Sequence, residues 1–152
     1  MSKQDRLNKL FDDYKAEFKD EEIVLDSGNI DSHILLIGEA PGKDEVRLSK
    51  PFVGAAGKNL SRFLEILNIE RENIFVGNSI KYRLSKMNPK SGRKINRPPT
   101  KDEIEKNKGY LLKERDILNP KYIITLGNVP LKMVTGDKDL NIGSVHGELK
   151  KI

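Results

Sequence analysis

The chain has 152 residues, of which 36% are hydrophobic and 34% charged, and its formal net charge is +5. We therefore expect a single soluble domain over residues 1–152 with one sizeable core. No apolar run approaches the length of a membrane span, and acids occur throughout the first predicted helix, so the sequence predicts no membrane segment, no targeting peptide and cytoplasmic residence. The absence of cysteine removes disulfides and every thiolate ligand, and two histidines far apart argue against a zinc site.

The first third of the chain predicts a helix followed by a buried strand. Residues 3–19 carry an apolar stripe at helical spacing, formed by Leu7, Leu10, Phe11, Tyr14 and Phe18. A polar connection from Asp20 to Ser32, with a turn at Gly28-Asn29, leads to the unbroken apolar run Ile34 to Ile37. Such a run is typical of a strand buried on both faces of a parallel sheet.

The next segment predicts a helix and a second strand. The helix begins at Gly57 or Lys58 and ends at Asn68, and its buried face consists of Leu60, Phe63, Leu64 and Leu67. Ile74 to Val76 form the second strand, closed by Gly77-Asn78. The order strand, helix, strand implies a right-handed parallel crossover.

Residues 79–99 are strongly basic and show no apolar periodicity. They contain seven bases and no acid, whereas residues 1–31 contain five bases and nine acids. The seven bases are Lys81, Arg83, Lys86, Lys90, Arg93, Lys94 and Arg97. A local field of this sign favours a polyanion such as a phosphate backbone. The alternative is a solvated, mobile loop.

The last third predicts two helices and a third strand. The sequence Thr100-Lys101-Asp102-Glu103 is a capping box that opens a helix ending near Leu118. Tyr122 to Leu126 form the third apolar strand, and a short helix from Val129 to Val134 follows with Asn128 as its N-cap. Val145 to Ile152 are predicted to begin a further strand. Together these elements predict a three-layer α/β/α sandwich whose central, mostly parallel sheet has about four strands.

Three segments carry a family resemblance. They are Gly38-Glu39-Ala40-Pro41-Gly42 with Glu45 close behind, Pro51-Phe52-Val53-Gly54 with Ala56-Gly57, and Val76-Gly77-Asn78-Ser79-Ile80-Lys81. In this order and spacing they resemble the motifs of the uracil-DNA glycosylase superfamily, closest to the bacterial and archaeal branch that usually carries an iron-sulfur cluster. The resemblance covers about residues 34–126. It implies a base excision repair enzyme that flips uracil out of DNA and hydrolyses its N-glycosidic bond.

The resemblance also implies roles for individual residues. Asn78 would read the uracil edge, because a side-chain amide offers a donor and an acceptor in one plane. Phe52 would stack on the base, and Glu39 would polarise water beside an oxocarbenium-like sugar. The turn residues Gly38, Ala40, Pro41 and Gly42 would shape the base pocket. The expected DNA contacts are Lys81, Lys90, Arg93, Lys94 and Arg97.

Each role has a purely structural alternative. Asn78 would then only terminate a strand, Phe52 would be an ordinary core residue, and Glu39 would only hold the turn through backbone N–H groups. Among the acids near the turn, Glu45 is the weaker catalytic candidate.

The chain departs from the family pattern at several positions. Ala40 replaces an acid found in some branches, and Ala55 replaces the family's Arg. Asn107 stands at the position of a cluster cysteine, and Asn96 stands where a covalent-trapping branch has a nucleophilic His. We therefore expect no iron-sulfur cluster, no other cofactor and no covalent capture.

The family's last motif, a His-Pro segment followed by a wedging Leu, does not occur in this sequence, and His146 lies in a different context. Either the sequence is truncated at its C-terminus or the protein lacks the group that stabilises the departing uracil anion.

Two function classes follow. The first is a monomeric uracil-DNA glycosylase acting on uracil-containing DNA, without a membrane partner. The second is a non-catalytic relative that binds DNA or a protein. A generic nucleotide-phosphate binder is disfavoured, because neither a Gly-x-Gly-x-x-Gly nor a Gly-Lys-Ser/Thr loop occurs.

Overall fold

A computed structural model describes residues 1–151. The helices are α1 (Lys3–Glu17), α2 (Lys43–Leu48), α3 (Ala55–Ile66), α4 (Lys101–Leu118), α5 (Asn128–Thr135) and α6 (Ile142–Val145), with a 3-10 turn at Arg71–Asn73. The strands are β1 (Ser27–Gly28), β2 (Ile34–Gly38), β3 (Phe75–Asn78), β4 (Ser85–Met87), β5 (Lys94–Asn96) and β6 (Tyr122–Thr125). Within residues 1–151, none of these helices combines the length and the apolar composition that a bilayer span requires.

The central sheet has four strands in the order β1-β3-β2-β6. Strands β2, β3 and β6 are mutually parallel, and β1 pairs antiparallel with β3. The unbroken apolar run of β2 is explained by its central place, since it has a strand on each side and helices on both faces. The predicted mostly parallel sheet is confirmed.

Helices cover the two faces of the sheet with separate cores. On one face, Leu35 and Ile37 of β2 pack with residues of α1, α4 and α5, including Phe11, Leu111 and Met133. On the other face, Leu36 and Val76 pack with Leu60 and Leu64 of α3 and with Phe52. The resulting α/β/α arrangement is the three-layer sandwich that the sequence predicts.

Local sequence signals account for several helix boundaries. Thr100 caps α4 by accepting the Glu103 N–H at 3.2 Å, and the Glu103 carboxylate accepts the Thr100 N–H at 3.0 Å, as in a capping box. At the other end, Asn119 adopts a left-handed conformation with φ of 46° and ends the helix before Pro120.

The helix after the second motif differs from the prediction in its start and in its buried face. It begins at Ala55 rather than at Gly57 or Lys58, and a separate short helix, α2, precedes it. Leu60 and Leu64 are buried, but Phe63 and Leu67 are 51% and 49% exposed. The apolar stripe of α3 is wider than the area that the sheet covers, so the residues at its two sides stay in solvent. Sequence periodicity shows the stripe but not how much of it is covered.

Four local features differ from what the sequence predicts. Residues 27–28 form β1 within the predicted polar connection, and the basic segment folds into the antiparallel hairpin β4–β5. Asn128 is the first residue of α5 and not its N-cap, which is Gly127; the Asn128 side chain accepts the Ile142 N–H at 2.7 Å. The strand predicted from Val145 is absent up to residue 151, where α6 and turns are found; Ile152 lies outside the described residues.

Candidate active site

The first and third motifs meet at the carboxyl ends of two neighbouring strands. Gly38 ends β2 and Asn78 ends β3, and the parallel pairing places them side by side in register. Two bonds continue the pairing beyond the strands, because the Gly38 carbonyl accepts the Ser79 N–H at 2.8 Å and the Ser79 hydroxyl at 2.9 Å. Ligands of open parallel sheets bind at this edge.

The second motif brings Phe52 to the same place. A methyl group on Gly38 would lie 2.6 Å from Phe52 Cζ and 2.7 Å from Asn78 Oδ1. Only glycine fits at position 38, because the Phe52 ring and the Asn78 amide occupy the space that a side chain would need. The ring also belongs to the core beneath α3 and is only 8% exposed.

The Asn78 side-chain amide is nearly enclosed but chemically uncommitted. The residue is 3% exposed, and its amide group makes no hydrogen bond within residues 1–151. In that range, Glu114 Oε2 is the one polar side-chain atom that is sealed from solvent without a partner. The Asn78 amide thus remains reachable, with a donor and an acceptor available to a ligand.

Glu39 directly follows Gly38, the last residue of β2. Its side chain is exposed, its carboxylate has no hydrogen-bond partner in residues 1–151, and its carbonyl accepts the Ile80 N–H at 3.0 Å. Although the side chain as a whole is exposed, neighbouring protein atoms partly desolvate its carboxyl, and this raises the pKa of that group above its ordinary value. A carboxylate without a structural partner is free to orient water.

The other residues of the first turn serve its shape. Ala40 packs against a cluster of aromatic and aliphatic side chains around Tyr14, and Pro41 is buried. Gly42 lies under the basic hairpin, because a methyl group there would be 3.6 Å from Asn96 Nδ2. Asn96, which stands where a covalent-trapping branch has a nucleophilic His, therefore lies over this turn.

Glu45 joins the first motif to the second. Its Oε1 accepts the Gly42 N–H at 2.9 Å, while Oε2 accepts the N–H groups of Val53 at 2.9 Å and Gly54 at 2.6 Å. All three are charge-assisted bonds to backbone. By sequence, Glu45 is only the weaker catalytic candidate, although its spacing of three residues from Gly42 is that of a capping box.

A second clamp holds the loop that carries Phe52. Phe52 is in the left-handed region with φ of 53°, an uncommon conformation for a bulky residue. The Arg71 guanidinium donates to the carbonyls of Pro51 and Phe52, the latter at 2.6 Å. Gly57 packs closely against the Phe52 carbonyl, since a methyl group at Gly57 would lie 2.0 Å from Phe52 O. No sequence signal indicated Arg71.

The basic segment divides into a buried part and an exposed hairpin. The prediction that Lys81 contacts DNA is wrong, because its side chain is 1% exposed. Its ammonium forms ion pairs with Asp26 at 2.7 Å and with Glu114 at 2.9 Å. Lys90 and Arg93 are exposed at the tip of the hairpin. Lys94 pairs with Glu22 at 3.1 Å, but its side chain remains half exposed.

Arg97 is also committed within the protein. Its guanidinium bonds both oxygens of Glu103, at 2.7 and 3.0 Å, and donates to the Ser85 carbonyl at 3.1 Å. This hydrogen-bonded pair lowers the pKa of the Glu103 carboxyl to about 2. Arg97 thus anchors the hairpin to the start of α4.

Comparison with known proteins decides the family. The chain matches the family described as the uracil DNA glycosylase superfamily over residues 25–151. It belongs to this superfamily. It is 34% identical over 125 residues to the type-4 uracil-DNA glycosylase of Thermotoga maritima, covering 82% of this chain and 60% of that protein.

Two further relatives are also longer than this chain. The type-4 uracil-DNA glycosylase of Saccharolobus solfataricus is 44% identical over 129 residues, which is 82% of this chain and 56% of that protein. For that of Sulfurisphaera tokodaii the identity is 39% over 115 residues, or 75% of this chain and 48% of that protein. The chain therefore spans about half to three-fifths of the length of these uracil-DNA glycosylases.

An iron-sulfur cluster, which the resemblance implies, does not fit this superfamily member. Asn107, at the position of a cluster cysteine, is fully buried. Its Oδ1 accepts the Tyr14 hydroxyl at 2.5 Å, and its Nδ2 donates to the Glu103 carbonyl at 2.8 Å and to the Tyr82 hydroxyl at 3.3 Å. Polar bonds and aromatic rings thus fill the space around this position, and the sequence offers no thiolate. Within residues 1–151, no group of three or more His, Asp or Glu side chains is arranged to hold a metal.

Proposed function

We propose that this chain removes uracil from DNA by hydrolysing the N-glycosidic bond of a flipped deoxyuridine, without a metal or an organic cofactor. The observation that carries the proposal is the Asn78 amide, which is nearly enclosed, unpaired and reachable at the carboxyl edge of the sheet. Membership of the superfamily supports it, and so does the presence of Phe52 beside this amide.

The proposed chemistry uses three side chains. Asn78 donates to uracil O4 and accepts from N3–H, which is the reverse of what cytosine offers. Phe52 provides the aromatic surface against which the flipped base is held. As the bond from C1′ to N1 breaks, the pair of electrons leaves with uracil, and the carboxylate of Glu39 faces the cationic sugar and directs a water oxygen to C1′. The proton lost by that water passes to Glu39.

The test of base reading is Asn78→Asp. The substitution keeps the size of the side chain but removes the donor for O4, and unpaired buried polar groups cost about 1–3 kcal/mol each. Single-turnover excision of uracil should fall roughly ten- to hundredfold, since 1.36 kcal/mol is about tenfold in rate. Excision of cytosine should fall less, and affinity for undamaged duplex should not change.

The matched control is Asn8→Asp, an equivalent change on the exposed side of α1. It should excise uracil like the parent. If Asn78→Asp also retains parental activity on uracil, Asn78 does not read the base. If the parent itself excises nothing while binding DNA, the enzyme proposal fails.

A second candidate is a non-catalytic DNA-binding member, which the exposed hairpin supports as well as it supports the enzyme. Three cationic side chains of residues 79–99 point to solvent without an ion-pair partner in residues 1–151: Lys86, Lys90 and Arg93. Both candidates predict that changing these three to Gln weakens DNA binding and reduces the log–log salt slope by about 0.9 per lost phosphate contact. The same change at exposed Lys9, Lys15 and Lys19 alters net charge equally and should have a smaller effect. Equal effects of the two triple variants would remove the hairpin from the interface.

A further inference from the structure

The backbone of Asn78 is held from both sides by buried ionic side chains. Asp26 Oδ1 accepts the Asn78 N–H at 3.0 Å, and Lys81 Nζ donates to the Asn78 carbonyl at 2.7 Å. Lys81 Nζ also binds Asp26 Oδ2 at 2.7 Å and Glu114 Oε1 at 2.9 Å. The three ionic side chains are 0–1% exposed.

Stability does not explain this triad well. Moving charges out of water costs several kcal/mol per ion, and well-packed apolar side chains often serve a core equally well. The triad is also imperfectly satisfied, because Glu114 Oε2 has no partner. Burial, together with the nearby Asp26, raises the pKa of the Glu114 carboxyl well above its ordinary value, while Lys81 opposes this shift. A cluster of this cost at the edge of the candidate site calls for a functional explanation.

The surroundings place Asp26 and Lys81 accurately. A methyl group on Gly77 would lie 1.7 Å from Asp26 Cγ, so the absence of a side chain at Gly77 is what admits the carboxylate. Asp26 directly precedes β1, whose pairing with β3 holds it beside Asn78. On the other side, the Lys81 N–H donates to the Tyr14 hydroxyl at 2.8 Å. Every one of these contacts leaves the Asn78 side chain itself unoccupied.

We infer that Asp26 and Lys81 are positioning residues that fix the backbone of Asn78 and thereby the direction in which its amide meets the base. The inference rests on the proposed function of Asn78. With its N–H and carbonyl both bound, only the two side-chain torsions of Asn78 remain free, so the amide samples few orientations before the base arrives. Glu114 acts at one remove, by holding the Lys81 ammonium.

The test is Asp26→Asn. An amide at this position cannot accept both the Asn78 N–H and the Lys81 ammonium, because its NH2 group must face one of these donors. Single-turnover excision of uracil, measured where the variant is fully folded, should fall by about tenfold or more. Affinity for undamaged duplex should stay at the parental value. Asp31→Asn, the same change at an exposed site, should match the parent.

A double-mutant cycle separates positioning from a structural role. If Asp26 acts through Asn78, Asp26→Asn should cost little further activity in an Asn78→Ala background. An equal loss in both backgrounds, or a parental rate for Asp26→Asn alone, would overturn the inference.

Hydrogen exchange of the Asn78 backbone amide keeps the inference testable without catalysis or variants. In the parent, this amide should be protected as strongly as that of Val76 inside β3, although it lies at the strand end. Exchange as fast as that of Ser91, an exposed loop residue whose N–H makes no hydrogen bond within residues 1–151, would refute the positioning contact. If the parent shows this protection and yet excises no uracil, the proposed function fails while the contact to Asp26 stands.

Discussion

Replacing Glu45 with Gln tests whether one carboxylate joins the turn after β2 to the loop before α3. The carboxylate accepts three backbone N–H groups, from Gly42, Val53 and Gly54. A Gln has one acceptor oxygen, which can retain either the bond to Gly42 or the two bonds to the loop. Its NH2 group then faces the remaining donor, and the bonds that it keeps lose their charge assistance.

The expected cost follows from these contacts. A hydrogen bond to a charged group contributes about 1.5–3 kcal/mol, and at least one is lost while the others weaken. Glu45 is only half buried, so water compensates part of the loss, and we expect about 1–3 kcal/mol. A domain of this size has a stability of about 5–15 kcal/mol, so the variant should still fold. The loss should be concentrated in the loop that carries Phe52.

The assay combines urea unfolding with amide exchange, using Glu65→Gln on the exposed side of α3 as the matched control. Glu45→Gln should unfold at a lower urea concentration than this control and should accelerate exchange at Val53 and Gly54 by about tenfold or more. Uracil excision should fall as well, because Phe52 loses its fixed position. Stability within 0.5 kcal/mol of the control, a bound chosen as about the size of ordinary surface effects, together with unchanged exchange, would show that Glu45 does not join the motifs.

Three further predictions concern pH and metal. The pKa of Glu39 is raised by partial burial, so excision should rise with pH through a limb above the ordinary carboxyl range, and Glu39→Gln should lack that limb; an unchanged profile in the variant would exclude Glu39 as the titrating group. The Glu103 carboxyl titrates near 2 when folded, against 4.5 ordinarily, so its pairing with Arg97 stabilises the fold above about pH 4.5 and this contribution is lost as the pH falls toward 2. Urea unfolding of Glu103→Gln should therefore show a smaller loss of stability than the parent over that acid range, and identical slopes would contradict the pairing. Finally, the purified protein should be colourless and keep its melting temperature in chelator, whereas stoichiometric iron would contradict the assignment of Asn107 to a polar network.

The sequence by itself determined the elements whose signals are local. The apolar run of β2, the stripe of α1 and the capping box of α4 are patterns within a few turns or one strand, and each folds as predicted. The three segments around Gly38, Phe52 and Asn78 were likewise sufficient to indicate the family. Each is a short turn at or near a strand end, and the residues that such a turn requires stand close together in the sequence. What such patterns specify is the state of neighbouring residues along the chain.

Only the tertiary structure decided which polar groups are bonded within the protein and which stay available to a ligand. Lys81 belongs by sequence to a basic segment, but Asp26 and Glu114, 55 and 33 residues away, bury it. Neither acid carries a signal for that role, because a charge in a sequence does not reveal which distant charge will neutralise it. The reverse holds for Asn78, whose value to the site comes from the bonds that its amide does not make. Pairing and its absence are properties of three-dimensional proximity, and so the sequence could name Asn78 but only the fold could show that its backbone is held and its side chain is free.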